Sequence, residues 1–102
     1  MPEFASALTM LPKERKLSHE DLVRAVRFMV AAEYEAVQIY MQVAESTDNE
    51  LAQAVLKDVS EEELIHAGEF LHLLNQLEPS EQQCYARGAD EVKATMAKIG
   101  KR

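Results

Sequence analysis

Between Pro12 and Gly68 the chain contains neither proline nor glycine, so no strong breaker interrupts a helix over that stretch. Apolar positions recur there at helical spacing. Val23, Val26, Val30, Glu33, Val37, Tyr40 and Ala44 follow alternating steps of three and four residues. Leu22, Ala25, Met29, Ala32, Ala36, Ile39 and Val43 repeat the rhythm beside them, and Ala52, Val55, Val59, Glu63, His66, Phe70, Leu73 and Leu77 form a third seam further on. Seams of this kind mark helices packed nearly antiparallel in a bundle. Two adjacent stripes give the first helix an apolar face wider than a single partner helix needs.

Local signals set the boundaries. Ser18 with Asp21 reads as an acidic variant of the capping box, opening a helix over about His19 to Glu45. The polar run S-T-D-N at 46–49 ends it, and Thr47 with Glu50 reads as a second capping box that starts the next helix. That helix stops near Gln76 or Leu77, because Pro79 biases Glu78 away from helical angles. Ser80 with Gln83 reads as a third capping box, opening a weaker helix from about Glu81 to Ile99 that Gly88 can bend. Residues 1–17, with Pro2 and Pro12, read as an extended N-terminal arm, and 18–99 as the helical domain. The loop between the first two helices spans only a few residues, which predicts an αα-hairpin. The expected class is all-α: a two-helix antiparallel hairpin plus a short C-terminal helix, with dimerisation completing a four-helix bundle.

Composition narrows the setting. A chain of 102 residues is one small domain whose modest core gains from oligomerisation. Trp is absent and aromatics are 6%, so that core is aliphatic. A formal net charge of -7 argues against nucleic-acid binding and fits attraction of cations. Cys84 stands alone, which excludes an intramolecular disulfide and a C-x-x-C metal site and predicts a reduced, half-buried thiol in a cytoplasmic protein. No apolar run reaches membrane-spanning length, and the first residues do not read as a secretory signal.

Three residues interrupt the apolar seams: Glu33, Glu63 and His66. A buried carboxylate without a partner is costly, and a cation supplies one. Glu33 and Glu63 are equidistant in sequence from Asp48 at the expected turn. At about 1.5 Å per residue, both therefore sit at one depth in the hairpin. His66 lies one turn from Glu63 on the same face. Glu-x-x-His facing a Glu is half of a carboxylate-bridged di-iron ligand set, and two chains related by a two-fold axis would supply four Glu and two His. Carboxylate oxygen and imidazole nitrogen suit iron. Tyr40 lies two turns along the seam, as a core tyrosine or a group near the metal. Glu35 falls about 200° around the helix from Glu33, which places it outside the same site within one protomer. Glu62 reads as a solvated residue or as one lining an approach to the site. The same ligands serve three chemistries: Fe(II) oxidation, a structural divalent-metal module holding another metal such as zinc or manganese, and peroxide reduction with a separate redox partner.

The segments A-E-Y-E-A-V-Q-I-Y (32–40) and E-E-E-L-I-H-A-G-E-F (61–70), with the following L-x-L-L-N-Q-L-E-P, resemble the encapsulin-associated, encapsulated ferritin-like proteins. These are half-length relatives of ferritin and rubrerythrin, and the resemblance covers roughly residues 18–95. It implies a ferritin-like bundle formed by dimerisation and a ring of dimers such as a decamer. It implies a ferroxidase centre that feeds iron storage inside an encapsulin nanocompartment, with Glu33, Glu63 and His66 as iron ligands. It also implies that Tyr40 lies near the site and that Glu35 takes part in metal entry.

Overall fold

The computed structural model describes residues 16–101, and three helices account for nearly all of them. Helix α1 spans His19–Glu45, α2 Glu50–Leu77 and α3 Ser80–Gly100. Among the described residues there is no strand. No helix there is long and apolar enough to cross a membrane. The expected N-terminal arm falls almost wholly outside the described residues.

Capping chemistry sets the ends of these helices. Ser18 Oγ accepts a hydrogen bond from the Asp21 amide at 3.1 Å, and Glu20 and Asp21 place negative charge on the first turn of α1. At α2 the cap differs from the expected Thr47–Glu50 box. Asn49 is the N-cap, its Oδ1 accepting from the Ala52 amide at 2.9 Å. Thr47 instead accepts from the Asn49 amide at 3.2 Å, and Gln53 donates to the Thr47 carbonyl. Asn directly precedes the first helical residue, so its short side chain reaches the exposed amides, while Thr47 shapes the turn before it. The expected Ser80–Gln83 box does not form either. Pro79 already holds helical angles, the helix begins at Ser80, and the Ser80 hydroxyl donates back to Glu78. Gly88 leaves α3 unbroken.

α1 and α2 pack as the expected antiparallel hairpin. The predicted first seam supplies most of the packed face, with Val23, Val26, Val30 and Ala44 buried, and Ala25 of the second stripe is buried as well. On α2 the buried line runs through Ser60, Ala67 and Leu74, and the predicted positions Val55, His66 and Leu73 lie exposed beside it. One neighbouring helix covers one stripe, and the apolar face of α2 is broader than that. Val23, Val26 and Leu74 form the core cluster, with Phe70 and Leu77 packed against it.

The lone protomer leaves much apolar surface uncovered. Its radius of gyration is 18.1 Å, where a compact domain of this length takes about 13 Å. Met29, Ile39 and Val43 of α1 and Val55 and Leu73 of α2 are all exposed. Helical spacing puts them on the side of the hairpin to which His66 belongs. Apart from Glu81, every described residue of α3 is exposed, including Cys84, which was expected half-buried but sits on a helix that packs little against the hairpin.

Candidate metal centre

The centre is built from the middle of the hairpin. α1 carries Glu33 four residues after the second stripe's Met29 and three after the buried Val30, so packing of the valine seam turns Glu33 inward. α2 carries Glu63 three residues after the buried Ser60 and four before the buried Ala67. Glu63 thus has buried neighbours one turn before and after it, and Glu33 has the buried Val30 on one side and the half-buried Val37 on the other. The side chains of Glu33 and Glu63 keep 17% and 19% of their accessible surface, and that of His66 keeps 48%. The cluster is closed on its hairpin side and open on its His66 side.

One donor atom of each of these three residues lies within 4.8 Å of the other two. His66 Nδ1 stands 3.8 Å from Glu33 Oε2 and 3.6 Å from Glu63 Oε2. These spacings exceed a hydrogen bond. They match two ligands of one first-row divalent ion, each held at about 2.1 Å and so roughly 3–4 Å apart. Glu33 Oε2 is buried and has no hydrogen-bond partner. A buried carboxylate oxygen left unpaired is the feature a cation would satisfy, and mixed carboxylate and imidazole donors suit iron. The three residues fit a divalent metal ion such as iron.

The other candidates stand apart from this cluster. Tyr40 is partly buried, two turns further along α1. Among the described residues its hydroxyl makes no hydrogen bond, consistent with packing on the seam. Glu35 and Glu62 are exposed. Sequence reasoning missed Ser60, which keeps only 3% of its surface and whose Oγ has no hydrogen-bond partner. Its step of three from Glu63 was the available signal. It also missed a cluster at the start of α3, where Arg27 pairs with Glu81 and the Tyr85 hydroxyl donates to the same carboxylate. Glu81 and Tyr85 stand four residues apart on α3, a spacing visible in the sequence, but Arg27 comes from α1, and no short-range pattern announces it.

Residues 22–100 match the rubrerythrin family. The chain belongs to that family. This rubrerythrin-family chain is 36% identical over 91 residues to the encapsulin nanocompartment cargo protein EncC of Myxococcus xanthus, covering 89% of this chain and 68% of that one. It is 33% identical over 85 residues to a ferritin-like–encapsulin shell fusion protein of Pyrococcus furiosus, covering 83% of this chain. It spans 25% of that fusion protein's length. The crystal structure of the encapsulated ferritin domain from Pyrococcus furiosus superimposes with a TM-score of 0.79 at 32% identity, covering 84% of this chain and 88% of that one. The rubrerythrin-family hairpin described above is therefore a ferritin-like fold, and the resemblance read from the sequence holds.

Proposed function

We propose that two copies of the chain oppose their Glu33, Glu63 and His66 side chains around a pair of Fe(II) ions and oxidise them to Fe(III). The observation that carries this is the trio itself: three donor atoms from two helices within 4.8 Å, one of them a buried carboxylate oxygen with no hydrogen-bond partner. One protomer supplies two carboxylates and one imidazole, which is half of what a carboxylate-bridged pair takes. The cluster is open on its His66 side, and exposed Met29, Ile39, Val43, Val55 and Leu73 surround that side. A two-fold contact there buries this apolar face and brings the second half-set in together.

Iron enters as substrate. Two Fe(II) each lose one electron, and dioxygen takes up both with two protons to give hydrogen peroxide. Glu33 and Glu63 offset the added positive charge, since carboxylates held by packing need no rearrangement when it appears. His66 fixes the position of each ion through a neutral ring nitrogen. The Fe(III) product then leaves for storage. The named encapsulin relationships of the relatives support a shell as the place where it collects, which would house this chain inside such a compartment.

Aerobic Fe(II) oxidation by the natural chain, compared with Glu63→Ala and His66→Ala, tests the proposal. The expected result is loss of most of the activity in both variants. Equal rates in all three would contradict it.

A further inference from the structure

The buried line of α2, Ser60, Ala67 and Leu74, contains one polar side chain. Ser60 keeps 3% of its surface, and its Oγ has no hydrogen-bond partner. Among the described residues, the other buried side-chain oxygen without a partner is Glu33 Oε2, in the metal cluster. A hydroxyl on a helix has an acceptor to hand in the carbonyl four residues back. Ser46 donates to the Gln42 carbonyl in this way at 2.7 Å, and Thr95 to the Glu91 carbonyl at 3.2 Å. The Ser60 hydroxyl does not, although burying it unpaired is costly.

We infer that Ser60 is a positioning residue of the metal centre, its hydroxyl donating to the Glu63 carboxylate when an ion is bound. The inference rests on the proposed function and deepens it. Ser60 stands one turn before Glu63 on α2, and side chains at that spacing are neighbours. Side chains on a helix lean toward its N-terminus, so Glu63 leans over Ser60. Ser60 lies on the hairpin-turn side of both carboxylates. α1 runs opposite to α2, so the same rule leans Glu33 away from Ser60 and leaves Glu63 as the acceptor. Each carboxylate oxygen has two lone pairs, so one that holds an ion can still accept a hydrogen bond.

Without an ion, Glu63 Oε2 stands 3.6 Å from His66 Nδ1 and the Ser60 hydroxyl stays unpaired. A glutamate side chain turns about several bonds and can present its oxygens to an ion in many ways. A donor fixed in the packed seam selects one of them, and hydrogen bonds of this kind to a ligating carboxylate raise metal affinity. Ser60 is held for that task by its burial on the α2 line that packs against α1.

Anaerobic titration of the full chain with Co(II), a divalent probe that these donors also suit, tests it. Ser60→Ala should bind Co(II) roughly tenfold more weakly than the natural chain. Ser60→Thr and Ser60→Val share one shape and differ in the hydroxyl, so any crowding in the seam affects both alike. Ser60→Thr should bind roughly tenfold more tightly than Ser60→Val. A purely structural serine would leave the Thr and Val variants equal. Glu63→Ala serves as the control for the centre itself. If it loses Co(II) binding while Ser60→Ala binds as the natural chain does, or while the Thr and Val variants bind alike, the role of Ser60 is overturned and the proposed function stands. If Glu63→Ala binds as tightly as the natural chain, the proposed function fails and the role of Ser60 with it.

Discussion

Glu33 Oε2 and His66 Nδ1 lie 3.8 Å apart across the two helices of the hairpin, too far to share a hydrogen bond. The carboxylate oxygen is buried and finds no other hydrogen-bond partner. The unpaired oxygen costs stability in the metal-free protein, and on the proposed function a bound ion should offset that cost. Glu33→Met removes the unpaired carboxylate and fills the space with apolar atoms. It should stabilise the metal-free protein by roughly 1–3 kcal/mol, the scale on which an unsatisfied buried polar group costs. The same variant should show no rise in melting temperature on adding Fe(II) anaerobically, where the natural chain rises. Calorimetry with and without metal reads both signs.

Metal removal should weaken the association of copies. Ions that bind only the assembled half-sets shift the equilibrium toward assembly by mass action. Chelator treatment followed by sedimentation is expected to move the natural chain toward smaller species, with recovery on adding Fe(II) anaerobically. An identical distribution in both states would separate metal binding from assembly.

The hairpin core gives a stability expectation independent of metal. Leu74 keeps 3% of its surface and packs with Val23 and Val26. Leu74→Ala should cost about 2–5 kcal/mol through lost burial and the cavity left behind. Ser60→Ala removes a buried hydroxyl that has no hydrogen-bond partner, so it should be neutral or slightly stabilising. Denaturant midpoints of the two variants should move in clearly different amounts.

The attachment of α3 to the hairpin is expected to depend on pH at both ends of the scale. Hydrogen bonds from Arg27 and then Tyr85 hold the Glu81 carboxyl below its ordinary value of 4.5. The bond to Glu81, then burial, raises the Tyr85 hydroxyl above its ordinary 10.0. For the depressed carboxyl, the stabilisation is present above its unfolded pKa and is lost as pH falls through the lower folded value. For the raised hydroxyl, it is present below its unfolded pKa and is lost as pH rises through the higher folded value. Attachment should therefore be strongest between about pH 4.5 and 10, weakening on either side. Amide exchange of residues 80–86 across that range reads it, and Arg27→Ala should weaken the acid-side dependence, leaving the smaller part that the Tyr85 hydrogen bond supplies.

Much of this protein could be read from its residues. The absence of breakers between Pro12 and Gly68 and the 3-4 seams lead to the helices. The matching depths of Glu33 and Glu63 about Asp48 lead to the cluster, because rise per residue is a property of any helix. The sequence did not reveal which stripe of α2 faces α1, since Val55, Leu73 and the buried Ser60, Ala67 and Leu74 are neighbouring choices on one broad face. Side-chain caps were also misread at Thr47 and Ser80, where several polar residues compete for the same amides. The Arg27–Glu81–Tyr85 cluster depends on where α3 lands against α1, which no local pattern encodes.

On the proposed function, iron is held between two copies by Glu33, Glu63 and His66. Anomalous scattering at the iron edge from crystals soaked anaerobically in Fe(II) tests it most directly. Two anomalous peaks are expected near a two-fold axis, each beside these three residues, with ligands drawn from both copies. A single peak ligated within one protomer, or iron bound elsewhere with this cluster empty, would contradict it.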